Sequence, residues 1–211
     1  MNNASYGKST GGLIAAWFIF ALAASALHIF KTDPNLPPLA LGLAVLTPIV
    51  VFLFWYATSA GFRQFALSLD PRTLTFVHSW RIAGFTFLVL YAAGILPGVF
   101  ALPAGWGDIA IGATAPLAAL KLANFSRRRS FIFWQILGIF DLVLAVTLGT
   151  AARLISPHGV PTQVMTVLPM SLIPTFAVPL LIMLHLICIA QARQWKERQY
   201  SHVGEQLPSS A

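Results

Sequence analysis

The sequence predicts an all-α, polytopic integral membrane protein with six transmembrane helices and both termini in the cytoplasm. Three observations carry this. Of 211 residues, 57% are hydrophobic and only 9% are charged, which is too few for a water-facing surface. The mean hydropathy is +0.77, and the apolar residues gather into six runs long enough to cross a hydrocarbon layer about 30 Å thick. The basic residues then alternate across those runs. With cytoplasmic termini that side collects Lys8, Arg63, Arg72, Arg81, Lys121, Arg127, Arg128, Arg129, Arg193, Lys196 and Arg198, leaving only Lys31 and Arg153 opposite. The net charge of +7 is therefore read as a topology signal. No basic domain with interleaved aromatics points to nucleic acid, and none is expected as a partner.

In chain order, residues 1–12 are a polar cytoplasmic tail, and the first run extends from Leu13 to Phe30. Ala24-Ser25-Ala26 resembles a signal-peptidase site, but one basic residue, Lys8, is a weak leader charge, so the helix is expected to be retained. Asp33-Pro34 and Pro37-Pro38 form a short turn before the second run, Leu39 to Phe62, which contains Pro48. Residues Arg63 to Thr75 are polar and predict a connection. The third run has its apolar body from Ile82 to Phe100, with His78, Trp80 and Arg81 at its foot, where Arg81 can snorkel and His78 can meet the head groups. Pro97, Pro103 and Gly105 predict a corner before the fourth run, Gly107 to Ala123, so Asp108 falls in a first turn. The fifth run is Phe131 to Ile155, and the sixth, after a loop, is Pro169 to Ala190. Residues 13–190 thus form one transmembrane domain, and 191–211 a second cytoplasmic tail. The pentapeptides Trp80-Arg81-Ile82-Ala83-Gly84 and Trp134-Gln135-Ile136-Leu137-Gly138 are a weak repeat that suggests three helical hairpins. The expected setting is a cell membrane, with a bacterial inner membrane as the nearest type.

Asp141 is the residue that points to function. It lies ten residues into the fifth run, about 15 Å deep, where an ionised side chain costs several kcal/mol and calls for a partner, a proton or water. His185 in the sixth run lies about 9 Å off that level by helix rise. Pro48, Pro116, Pro174 and Pro179 remove backbone donors inside the runs and free carbonyls that can line a cavity. Kinked helices around a midplane carboxylate fit a cavity for a small or amphiphilic solute. In that reading Asp141 is the proton or cation group, and His185, Gln135 and Arg81 are further polar groups. Asp108 and His28 form a second candidate pair at the outer entrance.

A redox membrane subunit is the alternative, with b-type haem or quinone bound through His78 and His185. Bis-histidine ligation needs two imidazoles at one level, whereas these two are about 12 Å apart by helix rise, so no cofactor is favoured. A third reading is an accessory subunit whose Asp141 meets another chain, either a second copy or a membrane-complex partner. Enzyme chemistry finds little support: HExxH, GxSxG and Walker patterns are absent, and no nucleophile is singled out. The lone cysteine, Cys188, excludes an intrachain disulfide, and no metal site is expected.

Overall fold

The computed structural model describes residues 3–33, 38–156 and 158–205, and among these every regular element is helical. The expected prolines Pro34 and Pro37, the side chains of Arg153, Lys196, Arg198 and His202, and residues 206–211 lie outside the described residues. Five helical stretches are long and apolar enough to cross a membrane: Ser5–Ala26, Leu39–Thr58, Pro71–Ala92, Phe125–Ala152 and Ile173–Trp195.

The first helix, α1 (Asn3–Ala26), starts before the apolar run, because the polar residues from Ser5 to Gly12 wind into it. It stops before Phe30, where His28 takes a left-handed backbone with φ 57°. Helix α2 (Leu39–Thr58) ends earlier than the apolar pattern does. Ser59 breaks it and caps α3 (Ala60–Ser68), its hydroxyl accepting from Phe62 N–H at 3.3 Å. The rings of Trp55 and Phe62 stack across this corner, centroids 3.9 Å apart.

The expected polar connection is helical too. Asp70 caps α4 (Pro71–Val77), accepting from Thr73 N–H at 2.9 Å, with proline at the first helical position. A seven-residue 3-10 segment, His78–Gly84, follows without a break and leads into α5 (Phe85–Ala92). Gly94 then turns the chain with φ 71°. Helix α6 (Gly98–Leu117) begins nine residues before the expected start, since only Pro97 forms the corner. Pro103 lies in the second turn, where the carbonyl it frees is close to the helix end. A wide turn, Ala118–Leu122, closes α6 just past Pro116.

Helix α7 (Arg128–Ile155) matches its run closely. A 3-10 turn, Gln163–Thr166, and a wide turn at Pro174, Ile173–Ala177, lead into α8 (Val178–Glu205). Helix α8 continues well past Ala190, and there Gln191 Nε2 donates to the carbonyls of Ala66 at 3.2 Å and Leu69 at 2.7 Å, closing the end of α3. The packed centre is built from the 3-10 segment, α5, α6, α7 and α8, with α2 against α8. Helices α1 and α2 present bare apolar faces, with Phe20 66% and Phe54 69% exposed, as lipid-facing residues would be. Trp80 is 75% exposed and Trp134 8%, so the two repeated pentapeptides sit in unlike surroundings.

Candidate functional site

The site grows from the winding of the 3-10 segment. Three residues per turn place every third side chain on one edge. His78, Arg81 and Gly84 are buried, and the same spacing reaches back to Thr75 in α4 and forward to Phe87 in α5. One straight edge therefore carries a hydroxyl, an imidazole, a guanidinium, a gap and a ring into the packed centre.

Arg81 holds the middle. Its Nε donates to Asp108 Oδ1 at 2.7 Å, and its Nη2 donates to Asp141 Oδ2. Nη1 donates to the Gly138 carbonyl at 3.2 Å and lies 3.4 Å from His185 Nε2. Since a guanidinium only donates, His185 Nε2 must accept there, which leaves the proton on Nδ1. That N–H meets Gln135 Oε1, and Gln135 Nε2 donates to Thr75 Oγ1 at 3.0 Å. The polar chain thus runs through four helices with each donor facing an acceptor. Thr75 Oγ1 also lies 3.8 Å from Cys188 Sγ.

The two buried histidines lie face to face, centroids 3.7 Å apart and planes 17° from parallel. Both ring nitrogens of His78 are buried without a hydrogen-bond partner. Trp134 abuts both rings and anchors its own Nε1 on Thr114 Oγ1 at 3.0 Å. Haem ligation needs iron and its macrocycle between two imidazoles, and rings in face contact leave no such gap.

Glycines make the close approach possible. A Cβ on Gly107 would strike the Asp141 carboxylate, one on Gly138 the His185 ring, and one on Gly112 the backbone of the 3-10 segment at Arg81 and Ile82. Beside the cluster a cavity of about 660 Å³ runs between α2, α5, α7 and α8. Leu41, Val45, Leu142, Val146, Met170 and Leu181 are among its apolar walls, Arg81 and Asp108 also line it, and Thr32, Asp33 and Gln163 bound it in the connecting segments.

Several expected positions change. Arg81 and His78 are buried, at 3% and 0%, instead of snorkelling or facing head groups. Their helix starts at Pro71, so depth counted from Ile82 was too shallow. His78 and His185, about 12 Å apart by helix rise, are in contact. Asp108 is the eleventh residue of α6, not a first-turn residue, and its partner is Arg81. His28 is exposed at the turn after α1, and the structure does not join it to Asp108. Asp141, His185, Gln135 and Arg81 are brought together. Sequence reasoning missed Thr75, Trp134 and the glycine gaps, although the three-residue spacing of Thr75, His78, Arg81 and Gly84 is a signal visible in the sequence. Arg127 and Arg129 of the arginine triplet are exposed. Groups of three or more His, Cys, Asp or Glu placed to hold a metal ion are absent among the described residues.

A helical chain with five apolar stretches of membrane-crossing length, packed round a buried guanidinium shared by two carboxylates, is compatible with a membrane location. The chain belongs to the family described as a domain of unknown function (DUF8737), which it matches over residues 38–193. The matched region takes in every member of the polar cluster from Thr75 to Cys188 and leaves out α1 and His28. No curated protein and no solved structure matches the chain.

Proposed function

We propose that the chain is a six-span membrane protein that takes a small amphiphilic solute into the cavity beside Arg81. The solute's apolar body lies between α2, α7 and α8, and its polar end reaches the Arg81–Asp108 pair. The observation that carries this reading is that one buried ion pair also lines a largely apolar cavity of about 660 Å³. Such a volume is of the size that holds a small molecule, and a few polar groups in an apolar wall fix its orientation. Asp141, held by the same guanidinium, is the second carboxylate of the site and its proton or cation group.

The sixth span in this proposal is α6. Its 20 residues have membrane-crossing length, and its carboxylate is paired inside the bundle, where an intramembrane charge is tolerated. An even number of spans puts both termini on one side, in keeping with the lysine and arginine asymmetry, and makes this the cytoplasmic side of a cell membrane.

Native mass spectrometry of the detergent-purified protein with added medium-chain amphiphiles tests the reading. The wild-type chain is expected to retain one solute. Gly42→Phe should weaken retention, because Gly42 lines the cavity and a Cβ there meets nothing within 4 Å, so the ring can take up part of the space without a clash at its root. Equal retention by this variant overturns the assignment of the cavity. Asp141→Asn should fold and lose solute binding or uptake; wild-type behaviour would remove Asp141 from the site.

A further inference from the structure

The charge and hydrogen-bond count of the cluster says which amphiphile fits. Arg81 contributes one positive charge, and Asp108 and Asp141 contribute two negative ones, so at formal charges the triad holds one negative charge in excess. Arg81 has five N–H donors, and four of them are directed at Asp108, Asp141, the Gly138 carbonyl and His185. The carboxylates are the opposite case. Each gives one oxygen to Arg81, and the second oxygen of each accepts no hydrogen bond from the described residues. Neither second oxygen is sealed from open space, and Asp108 borders the cavity. The triad itself therefore offers acceptors and negative charge at the cavity end, with one N–H of Arg81 left over.

From this we infer that the cavity selects amphiphiles whose head group is a protonated amine, bound at the free oxygen of Asp108. The inference rests on the solute-binding reading above and narrows it. An ammonium supplies up to three donors and the positive charge that the triad lacks. A carboxylate or phosphate head would meet Asp108 and find Arg81 already engaged. An alcohol could donate one hydrogen bond but would leave the excess charge in place, at a cost in a low-dielectric surrounding. The apolar wall then selects the body of the same molecule by burial.

Octylammonium, 1-octanol and octanoate share one chain length and differ in the head, so native mass spectrometry of the wild-type protein in competition among the three is the test. Octylammonium is expected to be retained about tenfold or more over either competitor, the scale of one desolvated, charge-assisted contact. Asp108→Asn should remove the preference, bringing octylammonium down to the level of octanol measured in the same variant. Octanol retained as well as octylammonium, and more weakly in Gly42→Phe, overturns the amine selectivity and leaves the cavity reading standing. Preference for octanoate does the same. No retention of any of the three overturns both. The wild-type ranking decides the matter even where Asp108→Asn does not fold.

Discussion

Arg81 and Asp108 bond across the seam between the 3-10 segment and α6, Nε to Oδ1 at 2.7 Å, with the arginine side chain 1% exposed. Removing one partner of such a pair strands the other without a counter-charge. Arg81→Ala strands two carboxylates at once, and is expected to cost about 3–5 kcal/mol of stability in detergent, read by thermal or chemical unfolding. Arg81→Lys should lie between, because a lysine ammonium is a point charge that cannot fork towards Asp108 and Asp141 together. Arg81→Met combined with Asn at both aspartates should recover part of the loss. Wild-type stability in Arg81→Ala would show that the ion pairs do not hold the helices.

Gly138→Ala is expected to cost about 1–3 kcal/mol, the range for forcing one extra methyl into a packed interior. The added Cβ meets the His185 ring, which is pinned by Gln135, Arg81 and the His78 stack and has nowhere to shift. Gly12→Ala in α1 is the matched control: open space surrounds that position, and a gain of up to about 1 kcal/mol follows from helix propensity alone. Equal effects at the two sites would mean that the His185 ring can move aside.

Asp70 tests the start of the helix that carries Arg81. Its carboxylate is held below the usual value first by the Thr73 hydroxyl, then by the Thr73 and Arg72 amides. A carboxyl depressed on folding stabilises the fold at pH values above its unfolded pKa, and this support is lost as pH falls through the folded value. Unfolding measured between neutral and acid pH should show that loss in the wild type, and Asp70→Ala should remove this part of the pH slope while costing about 1 kcal/mol at neutral pH. An unchanged slope would mean that Asp70 is not the acid-sensitive cap.

Topology is open to labelling, because the lone native thiol, Cys188, is buried. On a Cys188→Ala background, cysteines introduced at Lys8 and Ser130 are expected to react with a membrane-impermeant reagent from the cytoplasmic side. One at His158 should react from the opposite side. Labelling of Ser130 and His158 from the same side would remove α7 as a span, and with it the six-span count.

The apolar runs were legible because length and hydropathy alone mark them, and Asp141 stood out as a lone charge within one. The partner was not legible for a countable reason. Asp70-Pro71 is a helix-start signal, an N-cap followed by proline, but the polar residues up to Thr75 made the stretch read as a connection. Arg81 lies ten residues after the helix start at Pro71, about 15 Å in, which brings it towards the level of Asp141, whereas a count from Ile82 leaves it at the edge of the run. Asp108 was misplaced by prolines: of Pro97 and Pro103, only the first lies at a helix boundary, and composition alone does not separate a corner from a second-turn proline. The glycine gaps at Gly107 and Gly138 could not be read at all, since they exist only in relation to residues far away in sequence.

The run from Thr75 to Phe87 behaves as a toothed rack, with a tooth at every third residue. At about 2 Å of rise per residue, neighbouring teeth in the 3-10 part stand about 6 Å apart. Inserting or deleting one residue between His78 and Gly84 would swing everything beyond it by about 120°. The guanidinium or the gap that admits it would then face the wrong way. This stretch can exchange one side chain for another, but its length has no slack.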